Sequence, residues 1–262
     1  MPRFSPHPDR RPALVAGASS GIGAATAVAL AARGFPVVLA ARRTEKCSEL
    51  VEMIRADGGD AFAVALDVTD TASVLDCVRV ASNMVGDLEL LVAGAGDTTF
   101  GRIHEIDSAA FASQLEVHLI GANRLATAVL PKMIERQRGQ LIFVGSDVAI
   151  RQRPHAGAYG AAKAALVAMV TNLQMELEGT GVRASIVHPG PTSTNMGQDA
   201  PIESLDRMLK DWSLWGHARH HYTLRSKDVA RAISFVAETP RGANITSMLV
   251  EPEAPLSASK VQ

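Results

Sequence analysis

Cysteine is nearly absent. Cys47 and Cys77 are the only two in 262 residues, thirty apart and outside any CxxC pattern, which argues against a disulfide framework or a zinc module. Aromatic residues make up only 4%, and neither sign of charge prevails: 26 Lys and Arg against 27 Asp and Glu leave a net charge of −1. That balance lacks the basic footprint of a nucleic-acid binder. A true bilayer-spanning run is missing as well. Residues 13–32 carry no charge over a length that could cross a membrane, yet Leu14, Val15, Ile22, Val28 and Leu30 are their only bulky apolar side chains. Gly, Ser and Thr dilute the rest, and no compact Leu-rich segment follows Arg10-Arg11. Neither membrane insertion nor export is expected, and the protein is read as cytoplasmic.

What is present is a globular composition, 47% hydrophobic and 20% charged, with 21 glycines. A chain of this length buries most of its apolar surface without a covalent or metal staple. The opening segment, rich in proline, reads as a flexible arm over residues 1–11. Short β-rich runs follow at 13–16, 37–40, 61–66, 88–92, 140–144, 183–187 and 246–250. Most are uniformly apolar, the pattern of strands covered on both faces. Helical stretches alternate with them at 21–33, 43–57, 71–85, 108–136, 157–178 and 226–238. In the fifth of these, Ala165, Met169, Leu173 and Leu177 recur every four residues and are expected to form one buried stripe. The alternation predicts a single α/β domain over 12–262, a doubly wound Rossmann fold with a mainly seven-stranded parallel sheet flanked by helices. Residues 191–225 break the rhythm without strong periodicity and read as a substrate lid.

The first strand runs into Gly17-Ala18-Ser19-Ser20-Gly21-Ile22-Gly23 and then an Ala-rich helix. Glycine is needed where the chain turns sharply and backbone approaches a pyrophosphate, and a helix N-terminus supplies N–H groups to it. On these residues the sequence resembles the short-chain dehydrogenase/reductase family, whose motif is TGxxxGIG, with Ala16 in place of the Thr. The resemblance extends over residues 12 to 250. At the end of the second strand Ala41 stands where an NAD-selective fold carries an acid, and Arg42 and Arg43 follow. A guanidinium grips a 2′-phosphate that an acid would repel, so NADP(H) is favoured over NAD(H). Asp67-Val68 matches the family's adenine-contacting pair, although the Asp also suits a turn or a helix cap.

Tyr159-Gly160-Ala161-Ala162-Lys163 is a YxxxK motif, and four residues are about 400° of helix, so the two side chains share a face. A free tyrosine titrates near pKa 10, and a neighbouring cation favours the phenolate. Ser146 lies 13 residues upstream, a spacing seen in many family members. The resemblance implies that Tyr159 is the general acid/base, that Ser146 orients the substrate oxygen, and that Lys163 binds the nicotinamide ribose and lowers the tyrosine pKa. His188-Pro189-Gly190-Pro191-Thr192-Ser193-Thr194 resembles the loop beside the nicotinamide, with Pro189, Gly190, Thr192 and Thr194 as cofactor contacts. Its plainer reading is a Pro-Gly turn.

Two motifs depart from the family. NNAG reads Ala93-Gly94-Ala95-Gly96, with Ala93, Gly94 and Ala95 still expected at the cofactor. VNxxG reads Val117-His118-Leu119-Ile120-Gly121, which puts His118 where the fourth catalytic residue, an asparagine, helps hold a water. Three readings stand open: His118 holds that water, it titrates as a relay near its ordinary pKa of about 6.5, or it is a satisfied buried histidine. His217, His220 and His221 form an HxxHH run without carboxylate or cysteine company, so no metal is expected. Trp212, Trp215 and Tyr222 beside them suit an apolar substrate, a dimer contact or ordinary surface packing.

The expected activity is NADP(H)-dependent interconversion of a ketone or aldehyde and an alcohol on a lipophilic small molecule. A homodimer or homotetramer is implied by the family alone, and neither nucleic acid nor membrane is an expected partner. The rival reading is a dinucleotide-binding redox sensor or scaffold with little turnover, motivated by His118 and the AGAG run.

Overall fold

The computed structural model describes residues 6–8, 10–197, 202–216, 220 and 222–254. Its central sheet is built from β1 (Ala13–Ala16), β2 (Val37–Ala41), β3 (Ala61–Ala65), β4 (Leu90–Ala93), β5 (Gly139–Val144), β6 (Val182–Pro189) and a last strand, Ser247–Val250. The strand order is β3-β2-β1-β4-β5-β6 followed by that last strand, and every pairing is parallel. Uniformly apolar strands need cover on both sides, and period-2 alternation decides which residue meets which layer. Leu14, Ala16, Leu91, Leu141 and Phe143 pack with α3 (Thr71–Val85), α5 (Gly121–Glu135) and α6 (Gly157–Glu176). Ala13, Val15, Leu90, Ile142 and Val144 pack on the other face with α1 (Gly21–Ala31), α2 (Thr44–Ala56) and α8 (Ser226–Glu238). The apolar run at 13–32 is thereby split between a strand and a helix, and no helix among the described residues is long and apolar enough to cross a membrane.

Order reverses between β1 and β4, the point at which a doubly wound sheet opens a crevice at the carboxyl ends of its strands. The turns that leave β1, β4, β5 and β6 all emerge there.

Three expectations are corrected. The stretch 108–136 is not one helix: α4 (Ser108–Leu115) passes through a π-helical turn, Glu116–Ile120, into α5. The turn accommodates one extra residue, a feature that recurs at functional sites, and it holds His118. On the expected α6 stripe Leu177 is buried, while Ala165, Met169 and Leu173 are only half-buried, and the deeper line of the helix is Ala162, Leu166 and Val170. The interval 191–225 carries a helix, α7 (Ile202–Leu214), and two short paired strands, β7 (Thr192–Ser193) and β8 (Leu224–Arg225), which make the last sheet strand β9. The helical period is present in Leu205, Met208 and Trp212, which are among the less exposed side chains of α7. His217 and His221 lie outside the described residues, and no group of three or more metal-ligating side chains occurs among those described.

Candidate active site

The turn after β1 is a close approach of three backbones. Gly17 has φ +81°, and a Cβ there would stand 2.7 Å from Ala95 Cα. One turn into α1, a Cβ on Gly23 would stand 2.3 Å from Gly17 O. Only hydrogen fits at either position. Ser20 caps α1 with extended backbone, its side chain makes no capping bond to the helix, and the first turn has no acid. The N–H groups of that turn are thus left to an anionic ligand.

This turn forms one wall of a cleft of about 420 Å³. Every proposed site residue lines it except Ala93: Gly17, Ser19, Ser20, Gly21, Ile22 and Gly23 on one wall, Arg42, Arg43, Asp67 and Val68 at one end, and Gly94 and Ala95 at the floor. His118, Ser146, Tyr159, Lys163, Pro189, Gly190, Thr192 and Thr194 complete it. Ala93 is the last residue of β4, buried in the layer shared with Phe143 and Ala16, so its side chain belongs to the core. Asp97, Gly145, Asn195 and Met196 also line the cleft, although no sequence motif marks them. They sit in loops, where no periodicity marks them.

At the β2 end, Arg43 donates to Ser19 Oγ at 3.2 Å and to Ser20 Oγ at 3.3 Å, so its charge faces the glycine turn, while Arg42 is exposed at the rim. Asp67 Oδ1 accepts from Thr69 N at 2.9 Å and Thr69 Oγ1 at 2.7 Å. These bonds hold its carboxyl below the usual carboxylate range. Asp67 is therefore both a turn residue and part of the cleft, and the helix cap of α3 is Asp70, which accepts from Ala72 N.

At the opposite end, the side chains after β5 and on α6 converge. Ser146 is buried, and its Oγ accepts from Val148 N and donates to Asp147 Oδ1, both at 3.3 Å. Burial pushes the Tyr159 phenol up to about 12, a hydrogen bond with Ser146 opposes this, and the Asp147 charge adds to it. Lys163, 5% exposed, donates to Val144 O at 2.7 Å and lies 5.6 Å from the centroid of the Tyr159 ring. Burial lowers its ammonium to about 7. The shared helical face expected from YxxxK is present. The ammonium lies over the ring and bonds to a β5 carbonyl.

His118 enters from the π turn. Its Nε2 is 2.5 Å from Asp97 O and its ring meets Tyr159 edge to face, centroids 5.1 Å apart. A carbonyl only accepts, so Nε2 carries the proton and Nδ1 is a bare acceptor. Nδ1 has no partner among the described residues. Burial, then the Lys163 charge, drives the imidazole down to about 3, against the Asp97 bond. Both causes favour the neutral ring. Gly96 makes the space: a Cβ there would stand 2.3 Å from His118 Cε1. Behind the two residues lies a second void of about 10 Å³, lined by His118, Lys163 and Val144, close to the size that holds one water.

Comparisons with known proteins point to one family. The model of the short chain dehydrogenase family matches residues 11–204. A short chain dehydrogenase of Pseudocercospora fijiensis is 34% identical over 220 residues, 79% of this chain and 71% of that protein. A glycine betaine reductase of Emericella nidulans is 31% identical over 92% of this chain, which spans only 18% of that protein's length. Among solved structures, an alcohol dehydrogenase from the archaeon Thermococcus sibiricus complexed with 5-hydroxy-NADP superposes with a TM-score of 0.80 at 26% identity, covering 94% of this chain and all of that one. A family model that spans most of the chain, on a seven-stranded sheet with its glycine turn at the crossover, leads to one conclusion: the chain belongs to the short-chain dehydrogenase family of oxidoreductases.

Proposed function

We propose that the protein is an NADP(H)-dependent oxidoreductase that interconverts a ketone or aldehyde with an alcohol, on a lipophilic small molecule. The observation that carries this reading is a single cleft with a phosphate-type glycine turn and Arg43 at one end, and Ser146, Tyr159 and Lys163 at the other. The likeness to an alcohol dehydrogenase solved with an NADP derivative supports it.

The residues fit the cofactor. The uncapped first turn of α1 and the bare backbone at Gly17 would hold the pyrophosphate, Arg43 with Ser19 and Ser20 the 2′-phosphate, and Lys163 the nicotinamide ribose. When bound, NADPH supplies the hydride, the hard part of the chemistry. The chain's part is positioning and proton transfer. Tyr159 donates its phenolic proton to the substrate oxygen in reduction and takes it back in oxidation. Ser146 orients that oxygen by a hydrogen bond. The loop at 192–197 and α7 would cover the substrate, with Met196 at the cleft and Leu205, Met208 and Trp212 among the less exposed side chains of α7.

His118 takes the place of the asparagine as a fixed acceptor, its neutral ring beside a void of one-water size. His118→Asn is expected to leave the shape of the pH–rate profile between about pH 5 and 8 unchanged, because neither residue titrates there. Loss of a limb near pH 6.5 in the variant would show that the histidine itself relays the proton.

The activity is tested by following NADPH absorbance with a panel of lipophilic ketones and aldehydes, against NADH as control. Turnover with NADPH is expected. Tight NADPH binding without turnover of any carbonyl, or of any alcohol with NADP⁺, would favour the sensor instead.

A further inference from the structure

The hydroxyl of Ser146 is held loosely by its own neighbours. Its Oγ accepts from Val148 N and donates to Asp147 Oδ1, both at 3.3 Å, longer than ordinary bonds of their kind. Asp147 is paired in turn with Arg153, and all of these groups belong to the loop between β5 and α6. Where the hydroxyl stands therefore depends on how the main chain of Ser146 is fastened to the sheet.

The backbone ladder does not supply that fastening. Gly145 N donates to Val187 O at 2.7 Å, but Pro189, two residues farther along β6, has no N–H with which to continue. Past that point the link is a side chain. His188 is 2% exposed, and its Nδ1 is 3.2 Å from Ser146 O. Burial favours the neutral ring, whose one proton then sits on Nδ1, because a carbonyl only accepts. The same carbonyl also accepts Ala149 N at 3.2 Å, a bond inside the turn that does not tie it to the sheet. The fit around the ring is close. A Cβ on residue 145 would stand 2.7 Å from His188 Nδ1 and 3.1 Å from its Cε1, so glycine there lets the imidazole close on the peptide that leads into Ser146.

We propose that His188 is a positioning residue for the reaction: its Nδ1–H holds the carbonyl of Ser146 to β6 where the backbone ladder ends, and so fixes the serine hydroxyl at the substrate oxygen. The cofactor loop has its own anchor. Pro189 and Gly190 line the cleft, and Gly190 N donates to Val250 O of β9 at 2.7 Å. Loss of the imidazole bond should thus misplace the serine and leave that loop where it is. This inference rests on the reading of Ser146 as the residue that orients the substrate oxygen.

Two substitutions separate the bond from the bulk of the ring. In asparagine the amide nitrogen hangs from Cγ as Nδ1 does in histidine, so it can donate to the same carbonyl, whereas leucine puts a methyl group there. With a lipophilic ketone and saturating NADPH, His188→Leu should lower kcat about tenfold, inside the 10²-fold that a misplacement of about 1 Å can cost. His188→Asn should stay within about threefold of native. NADPH affinity, read by fluorescence titration, should change by less than about threefold in both. Residues that act through one another are non-additive, so in a Ser146→Ala background His188→Leu should cost less than about a further twofold. Should the leucine variant not fold, His188→Ala takes its place in the same cycle. A tenfold loss with and without the serine hydroxyl, or an asparagine variant no better than leucine, would overturn the positioning role. NMR of nitrogen-15 histidine reads the tautomer without any substrate. The His188 signal, identified by its loss in His188→Asn, should show the proton on Nδ1, and a proton on Nε2 alone would overturn the proposal equally. Failure of the underlying reading would be distinct: Ser146→Ala would itself reduce the ketone at the native rate.

Discussion

Tyr159→Phe is expected to lower turnover in both directions by about 10²- to 10⁴-fold, the range that a positioned acid or base contributes, while NADPH affinity changes by less than about threefold. The substitution removes one oxygen from a ring that otherwise stays packed against His118 and under Lys163. The loss should therefore fall on kcat, because proton transfer is made only in the transition state. Initial rates together with a fluorescence titration of NADPH separate the two quantities. A phenylalanine variant with more than about a third of native kcat would mean that the proton comes from elsewhere, with Ser146 or a water chain past Lys163 the groups to examine.

The second large effect is on cofactor choice. Arg42→Ala/Arg43→Ala is expected to weaken NADPH by about 10- to 100-fold and leave NADH within about twofold, from a charge-assisted contribution of about 1.5–3 kcal/mol for the pair together. Both arginines are exposed, so solvent screening places the result toward the lower end. Arg43 should carry the greater share. It already bonds to Ser19 and Ser20 at the glycine turn, whereas Arg42 stands at the rim. Ala41 offers no carboxylate to a free 2′-hydroxyl, so the variant should lose one cofactor without gaining the other. Calorimetric titration of each single variant with both dinucleotides checks this. An unchanged ratio of NADPH to NADH affinity would contradict the assignment of NADP(H).

Much of the scaffold was legible because its determinants are local. Seven apolar runs separated by helical stretches point to the parallel sheet, and Gly17 and Gly23 mark the turn at its crossover, since no other residue fits their backbone contacts, while Gly21 is set by its positive φ. Tyr159 and Lys163 were visible because helical spacing alone puts them together. The less legible features depend on contacts between distant segments. Nothing near Lys163 in sequence indicates that its ammonium bonds to Val144 O, and nothing near His118 points to Asp97 O. The π turn left the apolar pattern of 108–136 almost intact, so one continuous helix was the natural expectation. In α7 the period of Leu205, Met208 and Trp212 is short and flanked by charge, too weak a pattern to mark a helix. Asp147 and Arg153 are six residues apart in a turn, a spacing that no regular element brings together, and only the folded loop shows them as a pair.

The account depends most on hydride passing between the nicotinamide ring and a substrate carbon inside this cleft. Single-turnover reduction of a lipophilic ketone by enzyme loaded with NADPH deuterated at the nicotinamide C4, with each of the two faces labelled in turn, measures that directly. One face should deliver its deuterium to the carbinol carbon of the product alcohol, and the other should retain it. Alcohol formed without label from either face, or bound NADPH that never yields alcohol, would contradict the account.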